Sequence, residues 1–393
     1  FITKIGGRTS HSAIMARSMG IPAIVGAGEK ADEIADGDLL LIDGAAGEVV
    51  AQPDEQTLAD FAERQKADAA HRAMLAQYKD KEGATSDGRR VIIEGNIGTP
   101  DDAVRVAELG GEGVGLFRSE FLFMDRTDLP SEEEQFAAYK KACEIMQGKP
   151  VIIRTLDIGG DKEVPALALE KEQNPFLGYR AIRICLNQPE LFLIQLRALL
   201  RAAQYGDLRI MFPMISSVDE VRGAKQVLEQ AKDMLTAEGV PFNPNVKVGI
   251  MVEIPVAAVC ADVLAKEVDF FSIGTNDLIQ YSCAVDRINE KISYLYRPLH
   301  PGVLRLIAMT AKAANENGIE VGVCGEMAGT AGMAPVLCGL GVTNLSMSAS
   351  AMLAAKADLA KHSCGECKEL ADKLLACASA SDAERIFADW RES

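Results

Sequence analysis

From residue 90 onward, short apolar runs rich in β-branched residues alternate with longer stretches whose apolar positions follow helical spacing. Regular alternation of strands and helices favours parallel pairing of the strands. Eight strand–helix units over roughly 300 residues predict an α/β fold, the (β/α)8 or TIM barrel. A doubly wound open sheet is the alternative, although such a sheet has no reason to stop at eight strands. The predicted strands are VIIEGNI, GVGLF, VIIRTL, RIMFPM, VGIMVEI, FFSIG, VGVCG and NLSMS.

Two smaller parts precede the barrel. Residues 1–50 contain a helix-forming stretch and then short apolar runs separated by turns, which predicts a small, partial α/β domain. Residues 51–83 have no proline or glycine between Pro53 and Gly83, and their apolar residues fall near helical spacing. We therefore predict a linker helix over 51–83, followed by a barrel domain over 84–393.

Charge and composition narrow the classes of function. The net charge of −16 and the isoelectric point near 4.9 argue against a nucleic-acid partner, which requires a basic surface. An anionic substrate must be held by a local cluster of cations, because the field of the whole chain repels it. No apolar run reaches the ~18 residues of a membrane span, and no signal peptide opens the chain. The nine cysteines lie mostly in apolar runs, which indicates reduced thiols and a cytoplasmic protein.

The segment GGRTSHSAIMARSMGIPAIVG places His11, one of four histidines, between a glycine turn and a helix-forming stretch. Turn and capping chemistry can explain this segment without any reaction. Alternatively, His11 is a nucleophile that accepts a phosphoryl group, whose oxygens the new helix N-terminus would hold. The motif by itself leaves both interpretations open.

Polar side chains follow six of the predicted strands directly. In a (β/α)8 barrel the active site lies at the carboxyl ends of the strands. Any one of these residues could be an ordinary surface group at the start of a loop, but their number argues for a common site. They are Asn96, Arg118, Arg154, Glu253, Asn276 with Asp277, and Cys324.

The residue types at these ends suit an anionic substrate and a metal. Arg118, Arg154 and Arg287 could bind a phosphate group, because guanidinium donors pair with phosphate oxygens. Glu253 and Asp277 offer hard oxygen ligands that suit Mg²⁺ shared with substrate oxygens. The sequence therefore predicts a magnesium site beside a phosphate site.

Two further side chains complete a reaction. Asn276 offers an amide to a carboxylate, and the Cys324 thiol, with an ordinary pKa of about 8.5, can donate a proton near neutral pH. A small anion with both a phosphate and a carboxylate fits this set, and phosphoenolpyruvate is such a molecule. In-line transfer of its phosphoryl group to the neutral imidazole of His11 leaves an enolate, which Cys324 would protonate.

The motifs that carry these residues resemble a known family. In chain order they resemble the Enzyme I family of the bacterial sugar phosphotransferase system, a branch of the phosphoenolpyruvate-utilising enzymes, over nearly the whole chain. The motifs are GGRTSHSAIMARSMGIPAIVG, GVGLFRSEFLFM, IRTLDIGGDK, NPFLGYRAIR, MVEIPVAA, GTNDLIQY and VCGEMAG.

This resemblance implies a mobile phosphohistidine domain beside a phosphoenolpyruvate-binding barrel that forms a homodimer. It also implies Mg²⁺ and onward transfer to the carrier protein HPr, whose binding insert precedes the His11 motif in the family and is expected to be absent from this chain. By resemblance His11 is phosphorylated and Cys324 donates the proton. Substrate binding is implied for Arg118, Arg154, Asn276, Asp277, Arg287, Lys162 and Arg180, and metal binding for Glu253 and Asp277.

Two other functions stay open at this point. Pyruvate phosphate dikinase and phosphoenolpyruvate synthase share this chemistry and closely related motifs but use ATP through a separate domain. A non-catalytic dimer module that senses phosphoenolpyruvate is a third possibility, against which the presence of Cys324 weighs. Separately, the Cys364-x-x-Cys367 motif beside His362 could be a metal or redox pair, although a single such motif is a weak signal.

Overall fold

The computed structural model describes residues 1–6, 16, 21–44, 46–124, 126–159, 164–167 and 169–392. The chain forms two compact units, Phe1–Lys79 and Asp80–Ser393. None of the helices in the described ranges is both long enough and apolar enough to cross a membrane.

The first unit contains a β-hairpin and a long helix. Strands β1 (Leu40–Asp43) and β2 (Glu48–Ala51) pair antiparallel, after a short 3₁₀ turn at Glu29–Glu33. Helix α1 (Glu55–Ala76) begins where the Asp54 carboxylate accepts a hydrogen bond from the Thr57 N–H at 2.8 Å. No residue of α1 is buried, as its sparse apolar positions predict.

The second unit is a closed barrel of eight parallel strands, which confirms the predicted fold and shows that the open-sheet alternative is wrong. All eight predicted runs form strands, and the last strand pairs with the first to close the barrel. Because the strands are parallel, their carboxyl ends meet at one rim. The strands are β3 (Ile92–Ile97), β4 (Val114–Arg118), β5 (Val151–Arg154), β6 (Leu208–Phe212), β7 (Lys247–Val252), β8 (Phe270–Ile273), β9 (Glu320–Val323) and β10 (Asn344–Met347).

Helices connect the strands and cover the barrel. Serine caps with a glutamate three residues later fix three of the helix starts, at Ser131, Ser217 and Ser363. The helices are α2 (Asp102–Glu108), α3 (Glu132–Met146), α4 (Ile182–Asn187), α5 (Pro189–Ala202), α6 (Val218–Ala237), α7 (Pro255–Val259), α8 (Ala261–Leu264), α9 (Thr275–Cys283), α10 (Pro301–Asn317), α11 (Met333–Gly339), α12 (Met352–Ala360), α13 (Cys364–Leu375) and α14 (Ala380–Glu392).

The apolar core has two parts. A large cluster lies between the strands and the surrounding helices, where the inward stripes of the helices bury their side chains. A smaller cluster belongs to the five consecutive strands β4 to β8 and the start of the loop after β9, as expected for the packed interior of a barrel. It consists of Leu116, Ile152, Met211, Met251, Phe270 and Cys324.

A buried lysine connects the end of the barrel to its beginning. Lys356 on α12 is only 2% exposed, and its Nζ donates to the carbonyl oxygens of Lys81 and Gly110, each at 2.7 Å. Burial lowers the pKa of the Lys356 ammonium. These two hydrogen bonds connect α12, which follows β10, to the segments before and after β3.

We expect Lys356→Met to lower the free energy of unfolding by about 1–3 kcal/mol, because two carbonyl oxygens lose their donor. Chemical denaturation of the purified chain measures this loss. Lys361→Met is the matched control: Lys361 is exposed and paired only with nearby Asp358, so the change should stay within about 0.5 kcal/mol. Equal effects of the two substitutions would contradict the assigned role of Lys356.

Candidate functional site

The carboxyl-end rim brings together the described residues that the sequence placed there. Arg118 and Arg154 end β4 and β5, Glu253 follows β7, and Cys324 follows β9. Asn276 and Asp277 lie in the first turn of α9, directly after β8. Arg180 and Arg287 lie in loops, and each contacts the carboxylate of Asp277.

Arg154 and Arg180 are joined through one buried carboxylate, that of Asp157. Its Oδ2 lies 2.8 Å from Nη1 of Arg154, and its Oδ1 lies 2.8 Å from Nη2 of Arg180. Glu120 binds the other terminal nitrogen of Arg154. Burial opposes the charge on Arg154, but Asp157 and Glu120 outweigh it and raise the pKa of the guanidinium. The network therefore holds two arginines charged and fixed in the interior.

Arg180 also contacts α9. Its Nη2 lies 3.3 Å from Oδ2 of Asp277, and its Nη1 donates to the Tyr281 hydroxyl at 3.0 Å. That hydroxyl in turn donates to the carbonyl of Phe176 at 2.5 Å. Arg180 thus connects the loop after β5 to the helix after β8.

The other two site arginines are less constrained. Arg287 Nη1 lies 3.7 Å from Oδ1 of Asp277, which is a loose ion pair. The side chain of Arg118 makes no hydrogen bond or ion pair with any residue in the described ranges, and burial lowers the pKa of its guanidinium, as does the nearby charge of Arg154. Arg118 is therefore the cation most available to an incoming anion.

Glu253 and Asp277 face each other in a crowded acidic environment. Burial, reinforced by the charges of Asp277 and Asp157, raises the pKa of Glu253 to about 8. Its Oε1 accepts a hydrogen bond of 2.6 Å from the Met214 N–H, and Met214 has a strained backbone with φ of 56°. Asp277 Oδ1 is buried without a hydrogen-bond donor among the described residues. A bound cation would stabilise the ionised form of Glu253 and would give Asp277 Oδ1 a partner.

A close approach of two loops places Cys324. A Cβ on Gly325 would lie 1.9 Å from Oγ1 of Thr275 and 2.9 Å from its backbone nitrogen, so only glycine allows this contact with the start of α9. Asn276 Oδ1 accepts a hydrogen bond from the Glu326 N–H at 3.0 Å. The loop after β9 is thereby pinned to α9.

The Cys324 thiol is buried, with 2% of the residue exposed, and its Sγ lies 3.7 Å from the carbonyl oxygen of Ile273. Burial raises the pKa of Cys324 to about 11, although the charges of Arg154 and Arg118 oppose this rise. Cys324 therefore stays protonated at neutral pH and lies within the electric field of the site arginines.

Two predicted site residues, His11 and Lys162, lie outside the described residues. Sequence reasoning also missed three residues of the site, namely Glu120, Asp157 and Tyr281. Each lies within four residues of a predicted one, as Arg118-x-Glu120, Arg154-x-x-Asp157 and Asp277-x-x-x-Tyr281. That proximity is the signal that could have found them.

Comparison with known proteins gives two family matches. The PEP-binding domain of PEP-utilising enzymes matches residues 72–364, and the mobile domain of PEP-utilising enzymes matches residues 1–47. Three similar proteins are phosphoenolpyruvate-protein phosphotransferases. They come from Priestia megaterium (53% identity, covering 97% of this chain and 67% of that protein), Staphylococcus carnosus strain TM300 (48%, 100% and 69%) and Bacillus subtilis strain 168 (51%, 100% and 68%).

We expect Asp157→Asn to lower the free energy of unfolding by about 3–5 kcal/mol, because Arg154 and Arg180 would keep buried charges with less compensation. Denaturant titration measures this loss. Asp128→Asn is the control, since Asp128 pairs with Arg126 at the surface and such pairs contribute at most about 1 kcal/mol. A loss at Asp157 no larger than at Asp128 would show that the network is not a source of stability.

Glu253→Gln should stabilise the chain at high pH but not at low pH. Because the pKa of Glu253 is raised from 4.5 to about 8, the folded state binds the extra proton between these values, and stability falls as pH rises through that window. A neutral glutamine removes this dependence. The gain at pH 9 should be on the order of a few kcal/mol, since one pKa unit corresponds to about 1.4 kcal/mol.

Melting temperatures of the wild type and Glu253→Gln between pH 5 and 9 test this expectation. Glu326→Gln, an exposed carboxylate beside the same rim, should leave the pH profile of the wild type unchanged. Parallel profiles for wild type and Glu253→Gln would show that Glu253 is ionised throughout.

Proposed function

The chain belongs to the PEP-utilising enzymes, and we propose that it transfers the phosphoryl group of phosphoenolpyruvate to His11 and releases pyruvate. The observation that carries this proposal is the meeting of four arginines, two facing carboxylates and a protonated thiol at one rim of the barrel. The similar proteins named as phosphoenolpyruvate-protein phosphotransferases support the same reaction.

Substrate binding is assigned to the arginines. Arg118 has no competing partner among the described residues and would take the phosphate oxygens, with Arg287 able to leave its loose contact with Asp277. Arg154 and Arg180 are held by Asp157, so they present fixed charge without moving. The amide of Asn276 and the backbone at the start of α9 would orient the remaining anionic group.

A magnesium ion fits the site. The described rim holds four guanidinium groups against the carboxylates of Glu120, Asp157 and Asp277, while Glu253 with its pKa of about 8 is mostly protonated at neutral pH, so the small excess of positive charge does not balance a multiply charged anion. No cluster of three or more metal-binding side chains occurs in the described part of the chain, but Mg²⁺ needs only one or two carboxylates when substrate oxygens complete its shell. Glu253 and Asp277 would hold it, and when bound it would offset the charge of the substrate.

In the proposed transfer, a lone pair on an imidazole nitrogen of neutral His11 attacks phosphorus in line. The N–P bond forms as the bond between phosphorus and the enol oxygen breaks, leaving the enolate of pyruvate. Arg118 and Arg154 stabilise the negative charge that develops on the phosphoryl and enolate oxygens. The fixed geometry of Arg154 means that little reorganisation accompanies this step.

Cys324 would then protonate carbon 3 of the enolate. Burial keeps its thiol protonated, with a pKa of about 11, so a proton is available at neutral pH. The resulting thiolate would be stabilised by the charges of Arg154 and Arg118 until solvent returns a proton. General acid catalysis of this kind contributes roughly 10²–10⁴-fold to a rate.

We further propose that, in a full-length protein that carries the HPr-binding insert, the phosphoryl group passes from His11 to the carrier protein HPr, that the barrel forms a homodimer, and that the protein acts in the cytoplasm. Exposed apolar side chains support the homodimer. Val256 and Val259 on α7 are 45% and 56% exposed, and Tyr294, before α10, is 71% exposed. Such residues are costly to leave in water and are typical of interfaces.

Incubation of the chain with ³²P-labelled phosphoenolpyruvate and Mg²⁺ tests the proposal. We expect an acid-labile, base-stable label on the peptide that contains His11, and release of pyruvate in equal amount. His11→Gln should abolish the label. His71→Gln, which alters an exposed histidine of α1, should leave labelling at the wild-type level.

The alternatives give different results. Label in His11→Gln would disprove His11 as the acceptor, and binding of phosphoenolpyruvate without any label would favour a sensing module. Labelling that requires ATP would favour a dikinase or synthase. Acceptance of the phosphoryl group by HPr from a labelled full-length protein would separate the proposed function from both.

A further inference from the structure

Three cysteines gather at the end of the barrel opposite the rim. Cys364 opens helix α13 and is half-buried, Cys367 lies one turn further along, and Cys338 lies near the end of α11; the last two are fully buried. Cys338 and Cys367 lie beside each other where α11 and α13 pack. The Cys364-x-x-Cys367 motif therefore has a third thiol that no sequence spacing reveals.

A glycine brings the two helices into contact. A Cβ on Gly339 would lie 2.0 Å from the carbonyl oxygen of Cys367, so α11 and α13 can approach this closely only because residue 339 has no side chain. Cys338 precedes this glycine and is thereby held against Cys367. The two cysteines are therefore neighbours because α11 and α13 pack closely at Gly339.

The half-buried thiol lies beside a cation. Arg89 Nη1 is 3.4 Å from Sγ of Cys364, and the N–H of Cys364 donates to Oδ1 of Asp87 at 2.9 Å. Reactive cysteines characteristically occupy partly exposed positions at helix N-termini next to positive charge, whereas cysteines buried in apolar surroundings are inert. Cys364 meets each of these conditions.

A metal centre is the other chemistry that such residues suggest. No group of three or more His, Cys, Asp or Glu side chains in the described ranges could hold a metal ion, and this includes His362 with its neighbouring cysteines. His362 instead stacks on Trp390, with ring centroids 4.5 Å apart. The cluster is better suited to thiol chemistry.

We propose that Cys364 and Cys367 form a hydroperoxide-sensitive thiol site, in which Cys364 reacts first and Cys367 resolves the product as a Cys364–Cys367 disulfide. The Cys364 thiol loses its proton and attacks one peroxide oxygen, so that an S–O bond forms, the O–O bond breaks and the leaving hydroxide takes up a proton to give water. Cys367 loses its proton to solvent and attacks the sulfenic sulfur, so that the S–S bond forms and hydroxide leaves. That hydroxide takes a proton from solvent, and two thiols with one hydrogen peroxide give one disulfide and two waters.

Treatment of the reduced chain with hydrogen peroxide, followed by thiol blocking and peptide mass mapping, tests this site. We expect the Cys364–Cys367 disulfide to form about tenfold or more faster than oxidation of Cys260 or Cys283, which are half-buried like Cys364. Dithiothreitol should reverse it. Equal oxidation of Cys283, or a disulfide joining Cys338 to Cys367 instead, would overturn the proposal.

Variants separate the two roles. Cys367→Ala should leave a sulfenic acid on Cys364 that dimedone traps, and Cys364→Ala should abolish both the disulfide and the sulfenic acid. Cys338→Ser is the matched control, and it should form the Cys364–Cys367 disulfide at the wild-type rate. A Cys367→Ala protein without a trappable sulfenic acid on Cys364 would exclude Cys364 as the thiol that reacts first.

Discussion

The carboxylate of Asp157, held between the guanidinium groups of Arg154 and Arg180, is the interaction on which the rim depends. It joins the end of β5 to the loop that follows, and through Arg180 it reaches α9 and Asp277. Buried charges are costly unless each has a partner of good geometry. The rim therefore keeps its cations in place because equally buried anions surround them, and a substrate meets an arrangement that is already organised.

Two charged groups of the rim, Glu253 and Arg118, lack a full counter-charge, and both take part in the proposed reaction. Glu253 carries a raised pKa because it is buried and also lies close to Asp277 and Asp157, and the Arg118 side chain carries positive charge without a described partner. A divalent cation would supply the counter-charge of Glu253, and a phosphate group would supply that of Arg118. Stability and function thus oppose each other locally, as is common at sites that bind charged ligands.

Much of this molecule could be predicted from its sequence. The eight apolar runs identify the eight strands because a parallel barrel strand is buried on both faces, and the polar residues at the ends of six runs mark the rim. Glu120 and Asp157 were missed because a carboxylate close in sequence to a predicted arginine need not be buried as its counter-ion. The contact of Cys338 with Cys367 was missed for a similar reason, since it depends on how closely two helices pack at Gly339.

Closure of the barrel by pairing of β10 with β3, supported by Lys356, has a consequence for biosynthesis. The register that joins Ile92 to Asn344 spans most of the second unit, so the first strand leaves the ribosome long before its partner exists. Until then the nascent sheet has an open edge able to pair with other chains. Protection by chaperones would matter most during this interval, and ribosomal pausing shortly before β10 would prolong it.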